Sequence, residues 1–202
     1  MNRRSFLTTT GLSAMSVSVF GSLLHSGTED KITGNCATTN DILGPFYRGN
    51  APVRTQLRNE GYTGCPIEIK GKIYGKDCKT TLENAQIEIW HCDPSGKYDN
   101  KSAEFKYRAR QITKPTGEYS FETIVPGKYL NGNLYRPSHV HFRVSHGNSK
   151  DLISQLYFAG DPEILADPWA SREHAARRIL PIAPIGTDGK LAITFDIYMN
   201  SI

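Results

Sequence analysis

Residues 66–75 read PIEIKGKIYG. Apolar and polar side chains alternate through Ile67, Ile69 and Ile73, the period of a strand with one buried face. The same alternation recurs in AQIEIWHC (85–92), GEYSFETI (117–124), HVHFRV (139–144), LISQLYF (152–158) and LAITFDIYM (191–199). Gly, Pro, Asn or Asp bounds each run, so each is a short strand closed by a turn. Strands at this density predict an all-β fold, a β-sandwich of short, mostly antiparallel strands. Residues 161–180, DPEILADPWASREHAARRIL, break the pattern. They predict one or two short helices near 162–180, with Pro162 and Pro168 as starts or breaks. Residues 27–64 show no sustained period and read as an irregular N-terminal arm; residues 65–202 form the sandwich.

The chain has 202 residues, 38% hydrophobic and 22% charged, enough apolar content for one domain with a core. A net charge of +4 is spread over scattered lysines and arginines, so no nucleic-acid partner is expected. Residues 1–26 pair a basic start with an uncharged stretch of small residues, the layout of an export signal. Arg3-Arg4-Ser5-Phe6-Leu7 resembles the twin-arginine signal, which predicts a periplasmic or extracellular protein. The stretch from Leu7 to Leu24 is too rich in Thr, Ser and Gly for a stable membrane anchor. No clean cleavage site appears, and Thr33-Gly34-Asn35 before Cys36 is a poor lipidation motif. In an exported chain the four cysteines, Cys36, Cys65, Cys78 and Cys92, suggest up to two disulfides. If 66–73 and 85–91 form a hairpin, Cys65 and Cys92 fall near one end and become the favoured pair.

RPSHVHF, residues 136–142, raises a chemical question. On a strand His139 and His141 share a face while Val140 and Phe142 take the other. Two imidazoles so placed can reach one ion, though for the pair alone a polar strand face with no ion is the commoner reading. A cupin site needs a Glu shortly after the second His, where this chain has Arg143-Val144-Ser145-His146. A copper–zinc superoxide dismutase site needs six histidines and an aspartate. This chain has six histidines in all, one of them, His25, inside the probable signal.

LGPFYRGNAP, AQIEIWHCDPSGKY, GEYSFETIVPGKY, RPSHVHF and ISQLYF occur in that order over roughly residues 40–160. With these blocks the chain resembles the intradiol ring-cleavage dioxygenases, the family of protocatechuate 3,4-dioxygenase and catechol 1,2-dioxygenase. The resemblance implies one non-haem Fe(III) per chain, held by Tyr98, Tyr129, His139 and His141. It implies a small aromatic diol and dioxygen as substrates, and opening of the ring between the hydroxylated carbons to a cis,cis-muconate-type diacid. It assigns Tyr129 as the ligand that leaves the metal and takes a substrate proton, opposite His141, with Tyr98 and His139 remaining in place. Arg136 is implied beside the iron, in contact with substrate and stabilising charge that develops on the ring. Gln155 is implied near the substrate, and Ile42 and Pro45 in the segment that walls the pocket. His91 is not used by the family and reads as structural.

The donor types suit the ion. Phenolate is a hard anionic oxygen, and a tyrosine with an ordinary pKa near 10 binds at neutral pH only if a metal displaces its proton. Two phenolates favour Fe(III) over Fe(II), unlike the ferrous sites built from two histidines and a carboxylate. No counterpart of the long helical domain of dimeric catechol 1,2-dioxygenases is expected, and Leu43 stands where relatives often have an acidic residue. Which catechol is cleaved, and the oligomeric state, stay open. The competing reading is an exported, non-catalytic β-sandwich binding module, transthyretin-like or carbohydrate-binding, in which the tyrosines and histidines need not converge.

Overall fold

A computed structural model describes residues 36–58, 61–185, 187 and 189–200. The twin-arginine stretch and the 1–26 signal lie outside the described residues. Strands run in the order β1 (Pro66–Tyr74), β2 (Gln86–Trp90), β3 (Arg108–Ile112), β4 (Glu118–Ile124), β5 (Tyr129–Asn131), β6 (Leu134–Arg136), β7 (His139–Ser145), β8 (Leu152–Phe158), β9 (Ile179–Leu180), β10 (Ala183–Ile185), β11 (Lys190–Thr194) and β12 (Ile197–Tyr198). They build two five-stranded sheets and a two-stranded ribbon, β5–β6. In the first sheet β1 pairs antiparallel with β4 and parallel with β11 and β12. The second sheet has the order β3-β2-β7-β8-β9, antiparallel except at β8–β9.

The alternation seen in sequence builds the core. Ile67, Ile69, Ile73 and Phe121 from one sheet meet Ile87, Ile89, Val140, Phe142, Val144 and Leu156 from the other. Each is almost fully buried, and burial of each such side chain contributes roughly 1.5–3 kcal/mol. The expected helical stretch carries two 3-10 helices, Pro162–Leu165 and Glu173–Arg178. Asp161 caps the first by accepting from Glu163 N at 3.0 Å. No helix of the described residues is long and apolar enough to cross a membrane.

Two expectations change. LAITFDIYM does not run as one strand. It is interrupted at Phe195–Asp196, where the Phe195 carbonyl crowds Gly71 so closely that a Cβ there would lie 2.2 Å from the oxygen. The cysteine pairing is also different. Cys36 bonds Cys78, with Cα atoms 6.1 Å apart, while Cys65 is free and exposed and Cys92 is free and buried. β1 and β2 belong to opposite sheets and are no hairpin, so the geometry that favoured Cys65–Cys92 does not exist. The buried Cys92 thiol donates instead to Gly127 O at 3.1 Å.

The arm has no strand of its own among the described residues, but it is tied down. Thr38 N donates to Tyr198 O and Asp41 N to Ile153 O. Tyr47 Oη donates to Glu88 Oε2 at 2.8 Å and its ring packs edge-on against Trp90. The arm therefore covers the outer face of the second sheet. This is why β7 is buried on both faces along His139–Phe142, and it sets a site between arm and sheet.

Candidate metal centre

β7 turns His139 and His141 away from the core, and each is 1% exposed. Register places Trp90 opposite His141. The indole stacks on the imidazole at 4.8 Å with the planes 7° apart. Gly44 closes the other side. It holds φ +73°, and a Cβ there would lie 3.1 Å from His141 Cε1, so the LGPF turn suits glycine on both grounds. His139 Nδ1 lies 2.6 Å from Pro137 O. A carbonyl only accepts, so Nδ1 carries the proton and Nε2 keeps its lone pair. Burial, reinforced by Arg136, pushes the His139 pKa down to about 4. Burial, with His139 and Arg136 adding to it, holds His141 well below the usual imidazole range. Both rings are neutral, the form that ligates a metal.

The tyrosines arrive on two loops with the same ending, Gly96-Lys97-Tyr98 and Gly127-Lys128-Tyr129. Asp93 organises the first: its Oδ1 accepts from Ser95 N, Ser95 Oγ and Lys97 N. Its carbonyl accepts from Gly127 N at 3.0 Å, which joins the loops. They touch backbone to backbone. A Cβ on Gly96 would lie 2.3 Å from Lys128 O, and one on Gly127 would lie 2.3 Å from Pro94 O. Arg108 fixes the chain just past Tyr98 by donating from Nε to Asp99 O at 2.9 Å and from Nη2 to Asn100 Oδ1 at 3.2 Å.

The four side chains converge. Ring centroids are 5.6 Å apart for Tyr98–Tyr129, 5.7 Å for Tyr129–His139, 4.9 Å for His139–His141 and 6.2 Å for Tyr98–His141. Phe46 from the arm stacks on Tyr98 at 4.3 Å. Tyr98 Oη lies 3.4 Å from His139 Nε2. Both ring nitrogens of His141 are buried without a hydrogen-bond partner, an arrangement that is costly unless an unseen partner fills it. Burial, with Cys92 and Tyr129 adding to it, raises the Tyr98 pKa well above 10, so Tyr98 is a neutral phenol unless a cation displaces its proton. Among the described residues no group of three or more His, Cys, Asp and Glu side chains converges. A metal here must therefore take phenol oxygen, and two imidazoles with two phenols fit a hard trivalent ion.

Arg136 lies opposite Tyr129 across the β5–β6 ribbon and is 2% exposed, so it is no surface ion pair. Nε donates to Asp167 Oδ2 at 2.7 Å and Nη2 to Asp167 Oδ1 at 3.2 Å. The guanidinium stacks on Trp169 at 4.4 Å. Nη1 is buried and unpartnered. Gln155, opposite His141 in register, accepts from Arg136 Nη2 at 3.2 Å and donates to Ile42 O at 2.9 Å. Ile42 thus meets the site through its carbonyl, while Pro45 is exposed and its neighbours Gly44 and Phe46 make the contacts. His91 is structural: Nδ1 lies 2.7 Å from Cys92 O and Nε2 2.7 Å from Thr123 Oγ1. Sequence reasoning passed over Asp41, Gly44, Phe46, Tyr157 and Asp167. The repeated Gly-Lys-Tyr was the one signal that the two loops belong together.

A family model described as "Dioxygenase" matches residues 42–200. The chain belongs to the intradiol ring-cleavage dioxygenases. It is 34% identical over 146 residues to the catechol 1,2-dioxygenase of Candida albicans, covering 62% of this chain and 48% of that protein. It is 26% identical over 184 residues to the chlorocatechol 1,2-dioxygenase of Rhodococcus opacus, 76% of this chain and 68% of that protein. A solved structure, the dioxygenase domain of a dioxygenase–carbohydrate-binding protein fusion from Streptomyces sp. SirexAA-E, superposes with a TM-score of 0.72. It is 27% identical and covers 82% of this chain and 99% of that one. The chain spans about half the length of several curated relatives it matches. Membership in this family implies a non-haem iron site.

Proposed function

We propose that this family member cleaves a catechol-type diol with dioxygen, opening the ring between the hydroxylated carbons to a cis,cis-muconate-type diacid. Tyr98, Tyr129, His139 and His141 hold one Fe(III). The observation that carries this reading is the convergence of those four side chains around a His141 with neither ring nitrogen satisfied. When bound, the ferric ion would lower the pKa of the substrate hydroxyls and activate the ring carbons of the resulting dianion towards dioxygen.

The chain's own residues supply the rest. Neutral His139 and His141 donate lone pairs, and the Nδ1 bond to Pro137 O fixes the aim of His139. Tyr98 is braced by Phe46 on its face and by Arg108 behind its loop, which suits a ligand that stays bound. Tyr129 sits on the short ribbon and faces Arg136. Its Oη would hold the ion as a phenolate and is the group placed to take one hydroxyl proton from the substrate. Arg136, with Nε and Nη2 committed to Asp167, keeps Nη1 for negative charge developing on the ring. Gln155 and the Ile42 carbonyl close the side next to the arm. Both atoms of dioxygen end in the product, so no outside reductant takes part.

Export by the twin-arginine route belongs to the same reading. The Cys36–Cys78 disulfide suits an oxidising compartment. The experiment is oxygen uptake by the iron-loaded protein against catechol, protocatechuate and hydroxyquinol, with mass analysis of the product. A diacid heavier than its substrate by two oxygen atoms is expected. No uptake with any catechol, from protein that has bound iron, removes the proposal.

A further inference from the structure

Behind the histidine strand, two buried ion pairs are joined into one polar chain. Arg178 Nη1 donates to Asp41 Oδ2 at 2.7 Å, and its Nε donates to Thr39 Oγ1 at 2.8 Å. Tyr157 Oη lies 3.0 Å from the same Asp41 oxygen, 3.0 Å from Gln155 Oε1 and 3.1 Å from Arg136 Nη2. Arg136 then pairs with Asp167 on its far side. The Asp41 and Asp167 side chains are 2% and 1% exposed.

Donor and acceptor chemistry gives this chain a direction. Arginine only donates, and an ionised aspartate only accepts. Tyr157 has one proton and accepts from Arg136, so its proton goes to Asp41 or to Gln155 Oε1. Gln155 Oε1 is neutral and already accepts from Arg136. Asp41 is charged, and a bond to a charged acceptor is the stronger one. The order is Arg136 to Tyr157 to Asp41, with Arg178 neutralising Asp41 from beyond. Gln155 is oriented by the same logic: its oxygen must face Arg136, which leaves its nitrogen for the Ile42 carbonyl.

Arg136 is therefore held directly by two separate parts of the chain, with a third behind them. Asp167 comes from the loop after the first 3-10 helix, Tyr157 from β8, and Asp41 from the arm. Trp169 fixes the plane of the guanidinium, and Asp167 grips the Nε–Nη2 edge. A planar cation gripped on that edge alone can still pivot about the carboxylate. Tyr157 supplies a further acceptor at Nη2 that stops the pivot, and Asp41 fixes Tyr157 in turn. The atom left over, Nη1, is the one that the proposed reaction uses.

We infer that Tyr157 and Asp41 are positioning residues that hold Arg136 with Nη1 directed at the reacting ring, so that correct seating of the arm at Asp41 is felt at the catalytic guanidinium. This rests on the proposed ring-cleavage reaction. Both residues act through Arg136 and not by touching substrate.

The test compares wild type, Tyr157→Phe, Arg136→Lys and the double variant, all as full iron-loaded protein. Loss of one hydrogen bond to a charged group predicts that Tyr157→Phe lowers kcat about tenfold while KM stays within about twofold. Arg136→Lys keeps the charge but loses the fork that reaches Tyr157. Adding Tyr157→Phe to it should lower kcat no further, the signature of two residues acting through one contact. The second readout needs no iron. Trp169 stacks on Arg136, so its fluorescence emission in the iron-free protein should shift in Tyr157→Phe in the same sense as in Arg136→Lys. Asp41→Asn, which preserves shape, carries the same comparison if Tyr157→Phe does not fold. The inference is overturned if kcat of Tyr157→Phe equals wild type, if its loss is repeated in full on the Arg136→Lys background, or if the loss of apparent kcat is accounted for by the folded fraction alone. If wild type cleaves no catechol, the reaction proposal fails, and the iron-free emission still decides the coupling. A shift shared with Arg136→Lys sustains it, and no shift removes it.

Discussion

Gly127→Ala should separate the two tyrosine loops without disturbing either strand sheet. Gly127 does not hold a positive φ, so alanine meets no backbone penalty of that kind. The obstacle is contact alone: its Cβ would lie 2.3 Å from Pro94 O, 2.6 Å from Pro94 C and 2.9 Å from Gly96 N. Ordinary contact is more distant, so the loops must part by about 1 Å, an overpacking that costs about 2 kcal/mol. Tyr98 and Tyr129 ride on those loops, and a displacement of about 1 Å at a reacting centre lowers turnover about a hundredfold. Gly132→Ala is the control. Gly132 holds φ +64° with nothing within 4 Å of a Cβ, so alanine there costs only the left-handed strain, about 1 kcal/mol. Urea unfolding and catechol turnover should be measured on both variants, with iron content determined alongside. Gly127→Ala is expected to lose iron affinity and turnover far out of proportion to its stability, while Gly132→Ala keeps both. If Gly127→Ala binds iron and turns over within about threefold of wild type, contact between the loops does not set the tyrosine spacing.

Other outcomes follow from the same contacts. Asp167→Asn leaves Arg136 buried beside a neutral amide and should cost about 3–5 kcal/mol in urea unfolding. Replacing Cys36 and Cys78 together by serine opens a loop with a sequence separation of 42. It should cost about 4 kcal/mol, and the difference from wild type should vanish when both are unfolded in dithiothreitol. In the iron-free protein, burial pushes the His91 pKa from 6.5 down to about 4. The unfolded chain takes up this proton below pH 6.5 and the folded chain does not until about pH 4. The contribution is therefore fully present above pH 6.5 and lost as the pH falls towards 4. Stability measured across that window should decline, and His91→Gln should make the decline shallower.

The alternation of PIEIKGKIYG and its companions was enough to read the sandwich, because a period of two leaves few alternatives once turns bound each run. The break at Phe195–Asp196 was not legible, since the carbonyl that crowds Gly71 comes from more than a hundred residues away. The disulfide was misjudged for a related reason: alternation shows which face of a strand is buried but not which sheet it joins, and β1 and β2 lie in different sheets. At the site, His139 and His141 declared their shared face through local spacing. Tyr98 and Tyr129 needed the ordered family blocks, because the repeated Gly-Lys-Tyr marks the loops as alike without placing one against the other. Asp41, Tyr157 and Asp167 left no trace. A buried aspartate and a solvated one look alike in sequence, and only the fold brings Asp41, some 95 residues before Arg136, into the same network.

The proposed chemistry requires phenolate and imidazole to hold one iron together. Visible absorption during titration of the iron-free protein with iron in air tests this most directly. The expected result is a broad tyrosinate-to-iron band that saturates at one iron per chain. It should weaken in Tyr98→Phe and in Tyr129→Phe and fail to form in His141→Ala. A protein that binds iron without colour, or keeps the full band in both tyrosine variants, would contradict the assignment of this site.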